Sequence, residues 1–277
     1  MQTTPIRLQE YGVGIFKMIP TKSALKKAIK TDLIWVDGNK AKTGTFITGG
    51  ERIELLENIK PETYKRLNFS LEVVYEDDYL AVINKPAGIL VSGNKFETVA
   101  NALAQNLKKS TQLDAVQPQP VHRLDYPTTG LLLVGKTSGA ILALNKLFEQ
   151  KEVVKTYFAV TIGETKPKGT IKTPINAKEA LSEYEVLQTL NSERFKCLNL
   201  VKLSPKTGRR HQLRKHLSGV GNPILGDAEY GLPHLILKGK GLYLHAQSLE
   251  FIHPFAKNRI VVESKLPKKF GKLFLRE

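Results

Sequence analysis

The sequence predicts a mixed α+β fold, and three observations carry that reading. Strand-like and helix-like segments are interspersed without the regular strand–helix–strand rhythm of a parallel sheet. Hydrophobic residues make up 41% of the chain against 25% charged, enough to build a packed core. The length of 277 residues suits one large domain with a small appendage.

Residues 1–57 read as the appendage. Ser23 to Lys30 places Leu25, Ala28 and Ile29 at helical spacing, with Lys26, Lys27 and Lys30 between them. Thr21 or Ser23 is the candidate N-cap. Leu33 to Val36 is a strand, and Asp37-Gly38 is a hairpin turn signal. Phe46 to Thr48 and Ile53 to Leu56 are further strands around Gly49-Gly50. Residues 58–70, with Pro61 and mixed charge, read as a linker.

The body spans 71–277. Leu71 to Tyr75 and Tyr79 to Ile83 are strands joined by the acidic turn Glu76 to Asp78. Asn84 to Gly88 is a loop before a strand at Ile89 to Val91. Thr98 to Leu107 is a helix. Pro118 and Pro120 interrupt regular structure. Leu131 to Val134 is a strand, Ser138 to Gln150 a helix, and Val153 to Ile162 a strand. Arg209 to Ser218 suits a short helix stopping at Gly219, with Leu213 and Leu217 facing the core and Arg210 and Arg214 on a neighbouring face. Lys257 to Arg276 is lysine-rich, a basic edge or a frayed tail.

Forty-two Lys and Arg against 26 Asp and Glu give a net charge of +16, which points to a polyanionic partner. One cysteine, Cys197, excludes an internal disulfide framework and any cysteine-based zinc site, and suits a reducing compartment. No signal pattern or membrane-length apolar run appears, so a cytoplasmic protein is expected. None of the six histidines makes a zinc-type pair, so no metal is expected. Gly130 to Thr137 fits the phosphate-loop expression G-x-x-x-x-G-K-[ST]. Its intervening Leu-Leu-Leu-Val is a buried-strand sequence, though, and that reading is rejected.

Three segments bear chemistry. His122 to Gly130 sets Arg123 and Asp125 in a Pro/Thr/Gly turn before an apolar strand. Burial alone would protonate such a carboxylate, so a nearby cation is needed to keep it ionised. Thr207 to Leu217 offers Arg214 on a packed helix, a fixed partner for a carboxylate or phosphate. Lys155 to Tyr157 opens a strand, and Tyr157 is either core or a stacking face for an unstacked base. Taken singly, a surface ion pair, a solvated basic helix and a core tyrosine explain them.

Together these segments resemble the RluA-type family of RNA pseudouridine synthases over residues 71–254. The matching stretches are Asn84 to Gly88, His122 to Asp125 with Thr129 to Leu132, Lys155 to Tyr157, Thr207 to Arg209 with His211 to Arg214, Pro223 to Asp227 with Tyr230-Gly231, and Leu244 to Ala246 with His253-Pro254. Several motifs in the right order make the likeness specific. The first 57 residues are similar to the S4-like RNA-binding domain through Lys26 to Lys30, Leu33 to Asn39 and Gly49 to Leu55. Thr129 stands where serine is usual, and Tyr126-Pro127 where polar residues are commoner.

The resemblance implies a largely antiparallel mixed sheet with flanking helices and a central cleft. It implies isomerisation of uridine to pseudouridine within structured RNA, with no cofactor. It makes Asp125 the catalytic carboxylate, attacking the sugar or abstracting a sugar proton. Arg214 would orient Asp125, Tyr157 would stack on the uracil, and Arg123 would fill the place of a flipped base. His122, Arg209, Arg210 and the three lysines of the appendage would hold RNA, ribosomal in preference to transfer RNA, with a monomer as the default state. Two other readings cover part of the pattern. A non-catalytic RNA-binding or ribosome-assembly protein accounts for the charge, and a nucleoside-acting enzyme accounts for the carboxylate and arginine.

Overall fold

The computed structural model describes residues 4–16, 18–19, 21–56, 67–237 and 239–274. Among them, no helix is long and apolar enough to cross a membrane.

The N-terminal unit comprises β1 (Ile6–Arg7), α1 (Leu8–Tyr11), α2 (Lys22–Lys30), β2 (Ile34–Val36), β3 (Asn39–Lys40), β4 (Phe46–Ile47) and β5 (Ile53–Leu55). Thr21 caps α2 by accepting the Ala24 amide at 3.1 Å. Leu25, Ala28 and Ile29 turn inward against Leu8, Ile34 and Ile47 and build a core of the unit's own. Lys27 and Lys30 stay exposed, and Lys26 is half-buried. Asp37 and Gly38 both adopt positive φ, the geometry of a tight hairpin between β2 and β3.

The body's elements are β6 (Glu72–Glu76), β7 (Leu80–Lys85), α3 (Val99–Asn106), β8 (Ala115–Pro120), β9 (Thr129–Thr137), α4 (Ser138–Glu149), β10 (Val154–Ile162), β11 (Lys168–Ile171), β12 (Ser182–Ser192), β13 (Lys196–Pro205), α5 (Gln212–Gly219), β14 (Leu244–Ile252), β15 (Arg259–Glu263) and α6 (Lys268–Phe274). Ten strands form one sheet in the order β11-β12-β13-β10-β14-β9-β7-β6, with β15 on β14 and β8 on β9. Every pairing is antiparallel except β9 with β14. This is the mixed α+β, largely antiparallel architecture that the sequence implies.

The centre of the sheet is apolar on both faces. Leu132 and Val134 of β9 face α3, while Leu131 and Leu133 face α4 and Phe251. All four are fully buried, each stabilising the fold by roughly 1.5–3 kcal/mol of transfer free energy. The phosphate-loop look-alike is therefore this central strand. Its Gly130 is required by a close approach: φ is +114°, and a β-carbon there would lie 2.3 Å from the Ala246 carbonyl oxygen. That contact brings β14 against the start of β9, beside Asp125.

Four boundaries differ from the sequence reading. Ala115–Pro120 is a strand despite its prolines, which are tolerated because β8 pairs only with β9. Ile89 to Val91 makes only an isolated bridge, Leu90 with Thr98. The arginine-bearing helix begins at Gln212, not Arg209, and runs through Gly219. The lysine-rich C-terminal stretch is packed through 274, since Phe270 and Phe274 of α6 join the core around β10 and β13. Of the linker, 58–66 lies outside the described residues. Leu67 and Phe69 already pack on the body.

Candidate active site

The Asp125 loop joins β8 to β9. The Thr128 amide donates to the Asp125 carbonyl at 3.0 Å and closes the turn. Lys85, at the end of β7, is fully buried and anchors the loop from below. Its Nζ donates to the carbonyls of Pro86 (2.8 Å), Thr128 (2.9 Å) and Tyr126 (3.3 Å). Burial pushes its ammonium down to about 8, against the pull of the Asp125 charge. The Gly88 amide adds a bond to the Tyr126 carbonyl at 2.9 Å. The Asn84–Gly88 segment thus fixes the backbone from which Asp125 projects, its side chain 14% exposed.

Arg214 comes from the opposite wall. Gln212 sets the start of α5: its Oε1 accepts from Thr207 Oγ1 and the Arg209 amide, and its Nε2 donates to Ser182 Oγ and the Leu181 carbonyl. His211, just before, takes a left-handed φ of +56°. Leu213 and Leu217 anchor the helix in the core and hold Arg214 buried. Its Nε and Nη2 donate to the two oxygens of Asp227, both at 2.7 Å. Nη2 also donates to Glu229 at 3.1 Å, and Tyr230 lies under the guanidinium. Nη1 stands 3.7 Å from Asp125 Oδ2, an ion pair without a hydrogen bond. At an effective dielectric of about 20 the gross attraction there is roughly 4 kcal/mol. Burial would lower the Arg214 pKa, but its bonds to Asp227 and the charges of Asp227, Asp125 and Glu229 raise it instead. Burial would likewise raise Asp227, and the Arg214 bond and the Glu229 and Tyr230 amides bring it below its ordinary value.

The sequence reading paired Arg214 with Asp125, and the two do form an ion pair. The structure adds Asp227 as the arginine's main partner, which leaves Asp125 facing Nη1 without a direct hydrogen bond from Arg214. His211 faces the other carboxylate oxygen at 3.7 Å and shares Nδ1 with the Tyr230 hydroxyl at 2.9 Å.

Tyr157 lies on β10, opposite Leu203 and Ala246. Burial, then the Asp125 charge, push its hydroxyl well above the usual tyrosine range, so it stays a neutral phenol. Asp125, Tyr157, Arg214 and His211 line one cavity of about 730 Å³. Arg123, Arg209 and Arg210 are exposed along the same cavity. His122 also lines the cavity, but its ring is engaged within the fold. Its Nε2 accepts the Leu133 amide at 2.9 Å and its ring stacks on Phe148. Burial and the neighbouring Lys155 push it down to about 3, against the Arg123 backbone bond that favours its charged form. Lys26, Lys27 and Lys30 are not among the lining residues; they sit on α2 of the N-terminal unit.

Reasoning from sequence missed the roles of Asp227, Glu229, Tyr230, His211 and Lys85. Asp227 and Tyr230 lie in the Pro223–Gly231 stretch, whose acid had no visible partner until the chain was folded.

A model of the family described as RNA pseudouridylate synthase matches residues 79–219. The chain is 32% identical to ribosomal large subunit pseudouridine synthase C of Rickettsia felis, over 98% of this chain and 97% of that one. It is 31% identical to ribosomal large subunit pseudouridine synthase D of Nitrosomonas europaea, over 91% and 79% respectively. The structure of human RNA pseudouridylate synthase domain containing 4 superposes with a TM-score of 0.58 at 27% identity, covering 72% of this chain and 90% of that one.

Proposed function

This chain belongs to the RNA pseudouridylate synthase family, and we propose that it converts uridine to pseudouridine in large-subunit ribosomal RNA with Asp125 as its catalytic carboxylate. The observation that carries the assignment of residues is the convergence of Asp125, Tyr157 and Arg214 on one cavity, with Arg214 held from behind by Asp227. The preference for ribosomal RNA draws on the two bacterial relatives, both named as ribosomal large subunit enzymes.

The reaction breaks the bond between the ribose C1′ and uracil N1, turns the base, and joins C1′ to C5. A proton leaves C5 and one is gained at N1, so composition is unchanged. Asp125 starts it as an ionised carboxylate, by attack at C1′ or by taking a sugar proton. Arg214 and His211 each stand 3.7 Å from one of its oxygens, and Arg214 cannot swing away while Asp227 grips two of its nitrogens. Tyr157, held as a phenol, offers a flat face to the uracil and a proton to give, so any role as a base must follow ionisation. The target base leaves its stack to reach the cavity, and Arg123 at the rim is placed to fill the gap. The N-terminal unit serves as an S4-like RNA-binding domain through Lys26, Lys27 and Lys30.

The test is to incubate the protein with unmodified ribosomal and transfer RNA and map carbodiimide-dependent reverse-transcription stops. Stops in large-subunit RNA with the wild-type chain, absent with Asp125→Ala, are expected. Stops confined to transfer RNA would overturn the substrate, and stops persisting in the variant would overturn the residue.

A further inference from the structure

Among the described residues, the other cations that burial strips of water have partners. Lys85 holds three carbonyls, Lys136 holds Glu76 and the Asp77 carbonyl, Lys269 holds the Leu242 carbonyl, and Arg214 holds Asp227. Lys155 is the exception. It lies half-buried in the cavity wall, and among the described residues it makes no ion pair and donates no hydrogen bond. Its ammonium lies 6.0 Å from the Phe148 ring, the outer limit of a cation–π contact. Glu149, an acid on the same wall, is exposed and forms no ion pair with it. The adjacent His122 can only be neutral or cationic, so it offers Lys155 no counter-charge, and its Nε2 already accepts the Leu133 amide.

Lys155 and Tyr157, two apart on β10, both line the cavity while Thr156 between them does not, so the two side chains share a face despite the register shift against β14 at Thr156/Tyr157; strand spacing sets them about 6.5 Å apart. A base stacked on Tyr157 therefore has its own backbone within reach of Lys155. Uracil is neutral, and the anions that RNA brings into this cavity are its phosphates. We propose that Lys155 binds the phosphodiester adjoining the target uridine, inside the catalytic cavity, and so holds the flipped nucleotide in place. The inference rests on reading the cavity as the uridine-isomerising site. Burial without an acid partner pushes the Lys155 ammonium below its ordinary value, a cost that a phosphate would reverse.

The experiment compares wild type with Lys155→Met, which keeps the aliphatic stem, and Lys155→Arg, which keeps the charge. Initial rates of pseudouridine formation on a full-length unmodified large-subunit ribosomal RNA transcript are measured over a series of KCl concentrations. Lys155→Met is expected to raise KM about tenfold or more, with kcat little changed. It should also flatten the dependence of log kcat/KM on log salt by about 0.7, one phosphate contact. Lys155→Arg should restore most of both. Unchanged KM and salt slope, or a loss confined to kcat, would overturn the phosphate contact. Should near-ultraviolet circular dichroism show Lys155→Met misfolded, Lys155→Gln is read by the same criteria. Absence of product from wild type on any RNA overturns the reading of the cavity itself, and is distinguished from the other failures by that control.

Discussion

Replacing Asp227 by asparagine isolates the contribution of the carboxylate that fixes Arg214. Asp227 is 2% exposed and receives four hydrogen bonds: two from Arg214 at 2.7 Å and one each from the Glu229 and Tyr230 amides at 3.0 Å. Asparagine keeps one acceptor oxygen and turns the other position into a donor that meets the guanidinium in either orientation, and both amides as well if it replaces Oδ1. Breaking a buried pair by removing one partner costs about 3–5 kcal/mol. The lower figure applies here, because Glu229 and Asp125 still offset the Arg214 charge. A loss of about 3 kcal/mol lowers Tm by roughly 6 °C or more in a domain of this size. An Arg214 displaced by about 1 Å also costs on the order of 100-fold in turnover. The pH dependence has a defined sign. The folded pKa of Asp227 lies below its ordinary 3.8, so its stabilisation is fully present above that value and is lost as pH falls through the folded one. Wild-type stability should drop on acidification below about 4, and the variant's should drop less. Thermal melts from pH 7 to pH 3 with a parallel activity assay measure both effects. A variant within 2 °C of wild type (roughly the resolution of the comparison) and equally active would refute the keystone role given to Asp227.

Three further outcomes follow from the geometry. Gly130→Ala should destabilise by about 3 kcal/mol or more in a denaturant titration, because the new β-carbon meets the Ala246 backbone in a left-handed conformation; a loss near zero would mean that β9 and β14 are not so close. His122 should remain a neutral imidazole at pH 5 by ¹⁵N chemical shift. With its folded pKa near 3 against 6.5, the stability it contributes is complete above 6.5 and declines as pH falls toward 3, so an imidazolium signal at pH 5.5 would contradict its burial. Joint substitution of Lys26, Lys27 and Lys30 by alanine should weaken RNA binding and shallow its salt dependence by about 2–3 while leaving Tm near wild type, and an unchanged salt slope would remove the N-terminal unit from the RNA interface.

The residues that touch the cavity were largely readable in the sequence, because each chemical group sits inside a short local pattern. Asp125 stands in a turn before an apolar strand, Tyr157 at the start of another, and Arg214 between two core leucines. What holds them was not. Asp227 is thirteen residues beyond Arg214, and nothing local marks an acid in a loop as the clamp of a buried arginine. Lys85 looks like any loop lysine until β7 and β9 pair and bury its amine under the Asp125 turn. The start of α5 was misjudged because Arg209 and Arg210 have good helix propensity, yet Gln212 binds the Thr207–Arg209 turn and delays the helix. The prolines of β8 suggested a break, since edge position, which excuses them, is a property of the whole sheet. Local pattern therefore marked residues that reach one cavity, while long-range pairing decided what holds them.

The most direct test of the central claim is tritium release from RNA labelled at uridine C5, measured for wild type and Asp125→Asn at matched RNA occupancy. Asparagine keeps the shape of the side chain and removes only the carboxylate that Arg214 and His211 face. Release by wild type, with none above background from a folded variant that binds the same RNA within about threefold, is the predicted result. Release from Asp125→Asn at the wild-type rate would contradict the account.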